Sequence, residues 1–211
     1  YVLYKDRGLF WTSVNLKQVW VGCVRYKKFP LYSSFGSILN AASWQAPALM
    51  LGAFFSPVIV GFYGLGFRII QMPMSLVGNA INQVFLKHGA EARNKGKLDI
   101  EVKNLFTQLF SIGLLPNLII LIIGSDLFAF VFGEQWREAG VYVQILAPWA
   151  LLWLISSPLS PIYAIQEKQK AELIMHGVIF ICRILAISLG ALYGNARAAI
   201  VLFSLGGIIS Y

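Results

Sequence analysis

A chain of 211 residues with 58% hydrophobic and 12% charged side chains cannot cover a water-soluble globule, whose surface usually draws on about 25% charged residues. The formal net charge of +8 would suit nucleic acid in a soluble protein, yet here the basic residues fall in short connections between apolar stretches. That distribution belongs to membrane topology, and it argues against a nucleic-acid partner. Cys23 and Cys182 have no Cys or His partner at metal-ligand spacing, so neither a disulfide nor a metal site is expected, and no cofactor motif appears.

Taken in chain order, residues 1–30 read as a polar, basic linker. Within it, Gly8 to Tyr26 mixes Phe10, Trp11, Val14, Trp20 and Val21 with Lys17 and Arg25, the composition either of an interfacial helix or of a plain amphipathic connector. Tyr1 to Tyr4 read as the tail of a preceding membrane helix. Six apolar spans then follow in 31–211, at about 31–52, 58–86, 104–124, 141–165, 172–194 and 196–211. The complete ones match helices crossing roughly 30 Å of hydrocarbon at about 1.5 Å per residue. Barrel strands are about half that length and alternate in polarity. The expectation is therefore an all-α, polytopic transmembrane bundle. The chain starts without Met and stops at Tyr211 inside an apolar run, so it is expected to be a fragment with its last helix truncated.

Lys and Arg divide unevenly between alternate connections. Segments 1–30, 87–103 and 166–171 together carry 13 of them, whereas 53–57, 125–140 and 195–197 carry only Arg137 and Arg197. By the positive-inside rule the N-terminal segment is cytoplasmic. Between the third and fourth spans, Asp126 to Ala139 suggests a short re-entrant or interfacial helix.

Chemistry concentrates on a few faces. In the second span Arg68, Gln71, Ser75, Asn79 and Asn82 recur at helical spacing, giving a polar stripe that contains a charge. An Arg at bilayer depth costs at least about 2.5–3.5 kcal/mol on insertion scales, so the stripe faces protein or a wet cavity rather than lipid. Polar glue between helices is the competing reading. Arg68 and Arg183 both start about 15 Å from the nearer end of their spans. With no carboxylate deep in any span, they suit an anion, phosphate above all, unless each snorkels or bonds backbone carbonyls. On the fifth span Glu172, His176 and Arg183 share one face. In the fourth span Trp149, Trp153, Ser156, Ser160 and Tyr163 share another, which fits a sugar platform or ordinary packing and belt positions. Pro148, Pro158 and Pro161 predict a bend there, Pro73 offers one in the second span, and Ser33, Ser37, Asn40 and Trp44 make a weaker stripe in the first. No acid pair, nucleophile or metal cluster appears and the outer connections are short, so the chain is not expected to be an enzyme.

The run YKKFPLYSSFGSILNAASWQAPALMLGAFFSPVIVGFYGLGFRIIQMPMSLVGNAINQVF (Tyr26–Phe85), with LFAFVFGEQWREAGVYVQILAPWALLWLISSPLS (Leu127–Ser160), HGAEARNKGKL and RILAISLGALYG, resembles the second half of bacterial lipopolysaccharide and O-antigen export proteins. These are oligosaccharide-lipid flippases of the multidrug/oligosaccharidyl-lipid/polysaccharide exporter superfamily. The resemblance implies two six-helix lobes joined by a cytoplasmic linker in the bacterial inner membrane. This chain would supply the linker and one lobe, and the N-terminal lobe would be its partner. It implies movement of a polyprenyl-pyrophosphate-linked oligosaccharide between leaflets by alternating access. Under that reading Arg68, with Arg183, would neutralise pyrophosphate, while Gln71, Asn79, Asn82, Trp149 and Trp153 would contact sugar. A multidrug cation antiporter would want acidic residues in its cavity. A membrane glycan polymerase or ligase would want a long outer loop, and a non-transporting scaffold would not need the polar stripes.

Overall fold

The computed structural model describes Trp20, 34–166 and 168–211, with the side chains of Val77 and Asn79 outside the description. The linker expectations for 1–30 therefore fall outside the described residues, Trp20 apart. Among the described residues the chain is helical, with no strand. Among the described residues from Ser34 onward, seven α-helices follow in order: α1 Ser34–Phe54, α2 Pro57–Asn94, α3 Leu98–Phe132, α4 Arg137–Ser156, α5 Ile162–Ile165, α6 Gln169–Leu192 and α7 Ala196–Ser210. Of the six expected spans, four are long and apolar enough to cross a membrane: Pro57–Leu76, Leu98–Phe132, Glu134–Ile165 and Gln169–Leu192. Helix α7 is apolar but shorter, and α1, which carries Ser37, Asn40, Ser43 and Gln45, is not among the four.

Local chemistry sets the boundaries. Ser56 caps α2 in an extended conformation (φ −153°, ψ 158°), its hydroxyl accepting from the Ile59 amide at 3.4 Å, and Pro57 occupies the first turn, where its missing N–H costs nothing. Helix α2 then runs for 38 residues and α3 for 35, both longer than the apolar stretches that identified them. Asp99 and Glu101 sit in the first turn of α3, where acidic groups favour the positive end of the helix dipole.

The expected separate helix within 126–139 does not form. Helix α3 continues to Phe132, the chain reverses at Gly133 (φ 98°), and a single 3₁₀ turn, Glu134–Trp136, leads straight into α4. Asp126 lies inside α3 and pairs with Arg137 from the start of α4. The bend expected in the fourth span falls where Pro158 and Pro161, three residues apart, each lack an amide hydrogen. There α4 gives way to a 3₁₀ turn at Ser157–Leu159 and then to the single turn of α5.

Helices α1, α2, α4, α7 and α6 pack in sequence around a closed ring, since α1 also contacts α6, and α3 lies outside it against α4. Two joints depend on glycine. A Cβ on Gly190 would lie 2.1 Å from Ala199 Cα, and one on Gly140 would lie 2.5 Å from the Gly124 carbonyl oxygen, so only bare backbone allows these approaches. The outer side of α3 presents Ile112, Leu115, Ile119 and Ile122, all exposed, as a lipid-compatible face.

Candidate functional site

The polar stripe of α2 and the aromatic-hydroxyl face of α4 meet. Arg68, Gln71 and Ser75 are exposed and Asn82 is half-buried, although all lie on a helix whose first 20 residues can span a membrane. Asn79 occupies the same helical row. Ser75 spends its proton on the Met72 carbonyl of its own helix, at 2.9 Å. Three openings adjoin along this face. The largest, about 720 Å³, has Trp44, Gln45, Tyr63, Arg68, Gln71 and Trp136 in its walls. The second, about 210 Å³, lies between Gln71, Ser75, Gly78 and Asn82 on α2 and Trp153, Ser157 and Ser160 on the other side. The third, about 430 Å³, continues past Trp153 and Ser160 to Asn40, Tyr163 and His176. Gln71 belongs to the first two, Trp153, Ser157 and Ser160 to the last two, and Trp44 to the first and third. Together they make one trench, and no Asp or Glu lies in its walls among the described residues.

Arg68 is the only Lys or Arg in that trench among the described residues. It lies about 16 Å along α2 from Pro57 and makes no hydrogen bond or ion pair among the described residues. Its guanidinium is therefore available to a ligand.

Arg183 has the opposite surroundings. It is 2% exposed and lies inside the ring. One terminal nitrogen donates to the Ser43 hydroxyl at 2.8 Å and the Ser43 carbonyl at 3.3 Å, and the other reaches the Tyr211 hydroxyl at 3.5 Å. The guanidinium carbon lies 4.1 Å from the Trp44 ring centre, with Phe203 and Trp149 at 5.6 and 5.8 Å. Hydroxyls, a carbonyl and aromatic faces thus stand in for a carboxylate, and a desolvated cation–π contact adds about 2 kcal/mol. The structure does not bring Arg183 to the trench.

The two tryptophans also part company. Trp149 is wholly buried, with Gly207 pressed so close that a Cβ there would come within 2.2 Å of its ring. It stacks on Trp153 (5.5 Å, 9°) and on Phe67 (6.4 Å, 17°) as part of the core. Trp153, only 9% exposed and stacked in the same core, is the one that also lines the trench. His176 lines the third opening, where the Tyr163 hydroxyl meets Met175 Sδ at 3.1 Å, while Glu172 is half-buried and does not line the trench.

Several contacts carry no single-helix signal. Ser157 enters the trench because the chain leaves α-helical geometry at Ser156, which shifts the face that helical counting would choose. Arg93 ties the end of α2 to the Ile165 carbonyl at the end of α5. At the far end, Arg137 pairs with Asp126 and Glu134, and Arg197 grips Glu138 through Nε at 2.7 Å and a second contact at 2.5 Å. These pairs join α3 to α4 and α4 to α7. No group of His, Cys, Asp and Glu suited to a metal ion occurs among the described residues.

Apolar helices long enough to span a bilayer, beside a trench that carries Arg68, Gln71 and Asn82 in its walls, fit a helical membrane protein. A family model described as polysaccharide biosynthesis protein matches residues 9–141, and the chain belongs to that family. The match takes in α1, α2, α3 and the start of α4, and hence the α2 wall of the trench with Arg68. No curated protein and no solved structure matches the chain.

Proposed function

We propose that this chain is one lobe of a flippase that moves a polyprenyl-pyrophosphate-linked oligosaccharide across the bacterial inner membrane, for lipopolysaccharide or O-antigen assembly. The Lys-rich ends of α2 and α6 lie on the cytoplasmic side, and an N-terminal lobe faces this one and closes the trench. Membrane family, polysaccharide role and trench all support the reading. The observation that carries it is the meeting of Gln71, Ser75 and Asn82 with Trp153, Ser157 and Ser160 across one opening that shares Gln71 with the cleft at Arg68.

The physics is that of moving a charged head through hydrocarbon. A diphosphate-sugar head cannot shed its water into lipid without a large desolvation cost. A polar trench open at the side lets the head pass while the prenyl chain stays among acyl chains. Arg68 meets the diphosphate with a planar fork of donors, and Gln71, Asn82 and Trp153, with Asn79 on the same row, contact the glycan. Alternate approach and separation of the two lobes exposes the trench to each leaflet in turn. The work is binding and release, with no bond made or broken, so the protein acts as a transporter rather than an enzyme.

An antiporter of organic cations is the rival within the same superfamily, and the absence of acidic side chains from the described trench weighs against it. The test is translocation of a lipid-linked oligosaccharide by full-length protein in proteoliposomes. Arg68→Ala slows transport and Arg68→Lys restores part of it. Equal rates for Arg68→Ala and the parent protein remove Arg68 from the mechanism.

A further inference from the structure

The middle opening of the trench differs in chemistry from its neighbours. It holds about 210 Å³, bounded by Gln71, Gly78 and Asn82 on one side and Trp153, Ser157 and Ser160 on the other, with no charged side chain in its walls. That is room for about seven waters at roughly 30 Å³ each, the scale of one sugar ring rather than a chain of them. The side chains of Gln71, Asn82, Ser157 and Ser160 make no hydrogen bond among the described residues. Two amides and two hydroxyls therefore face one small space with both donor and acceptor capacity unspent. Gly78 forms part of the floor, and a Cβ there would meet only the Ser157 hydroxyl, at 4.0 Å. The floor is open because the residue is glycine, not because the backbone needs one.

We infer that this cup is a subsite for a single uncharged pyranose unit, separate from the charged cleft at Arg68, and that it discriminates against acidic sugars. It deepens the flippase reading and rests on it for the identity of the cargo. Sugar hydroxyls both donate and accept, which matches mixed amide and hydroxyl walls, and Trp153 supplies an aromatic boundary for the apolar edge of the ring. A phosphate or carboxylate offers acceptors only. In a cup without a cation its charge would be desolvated and left uncompensated. Arg68 is ten residues before Gly78, about 15 Å along α2. That spacing lets one molecule place its diphosphate and a sugar unit in the two subsites together.

The test uses full-length protein in lipid nanodiscs, labelled with an octyl β-glucoside carrying a photoreactive diazirine and with its glucuronide twin. The glucoside labels the peptide containing Trp153–Ser160, and the glucuronide labels it about tenfold less, as expected where walls without a cation leave a carboxylate uncompensated. Gly78→Leu fills the cup and lowers glucoside labelling about tenfold, whereas Gly78→Ala stays within about twofold. If Gly78→Leu does not fold, the pair Asn82→Ala and Ser157→Ala carries the same expectation. Equal labelling by the two twins, or labelling indifferent to these substitutions, overturns the proposal. Binding of a sugar-free prenyl diphosphate is measured in the same nanodiscs. If the protein does not bind it while the cup still takes the glucoside, the flippase reading fails and the cup stands.

Discussion

Arg68 and Arg183 are the same residue type at similar helical depth, and the protein puts them to opposite uses. Arg183 is enclosed by Trp44, Trp149 and Phe203 and bonded to Ser43 and Tyr211, so it links α6 to α1 and to the end of α7. Arg68 has no partner among the described residues and stands in the wall of a wide cleft. An intramembrane arginine is therefore a functional signal only after its partners are counted. A caged guanidinium contributes stability, whereas an unpartnered one in the wall of an opening is a candidate for binding an anion.

The comparison breaks most readily at Arg183. Arg183→Ala removes the cation–π contact and leaves a side-chain-sized void, so a loss of about 3–5 kcal/mol in stability is expected. Thermal unfolding in nanodiscs measures it, and an unshifted midpoint would show that the cage does not hold the ring together. Next comes Gly190→Val, which drives a branched side chain into Ala199 and should cost about 2–3 kcal/mol or force α6 and α7 apart. Its signature is a lower unfolding midpoint without a change in charge.

Arg68→Ala should leave the unfolding midpoint almost unmoved, within about 0.5 kcal/mol, because its side chain makes no hydrogen bond or ion pair among the described residues. It should nonetheless weaken prenyl-diphosphate binding by about 1.5–3 kcal/mol, the range of a hydrogen bond to a charged group. A binding titration beside a melting curve separates the two arginines in one experiment. The smallest effect belongs to Glu138→Gln. The Arg197–Glu138 pair is partly exposed, so its loss should cost no more than about 1 kcal/mol and should fade as salt is raised.

Much of the bundle was legible in the sequence because hydropathy and proline placement are local signals. The bend at Pro158 and Pro161 and the spans around α2 and α6 follow from them. The row from Arg68 to Asn82 was legible as well, since helical periodicity alone puts those residues on one face. What periodicity cannot supply is the partner across the gap. One Arg183 terminal nitrogen donates to Ser43, 140 residues earlier in the chain, and no spacing rule anticipates that bond. Trp149 and Trp153 share a face and a stacking contact, yet Gly207 seals one and the end of α4 leaves the other at an opening. The stretch after Asp126 looked like a separate helix because its acidic residues interrupt the apolar run. Asp126 and Glu134 pair with Arg137 within the same stretch, and α3 runs through Asp126 to Phe132.

Water access along α2 tests the central claim most directly. Single cysteines are placed at Arg68, Gln71, Ser75 and Asn82, and at Met72 and Leu76, which are exposed on the same helix outside the polar row. Full-length protein with its native cysteines replaced is treated in membranes with a charged, water-soluble thiol reagent. The account predicts fast modification at the first four positions and slow modification at Met72 and Leu76. Equal protection at all six, or faster reaction at Met72 and Leu76, would mean that the polar row does not border water.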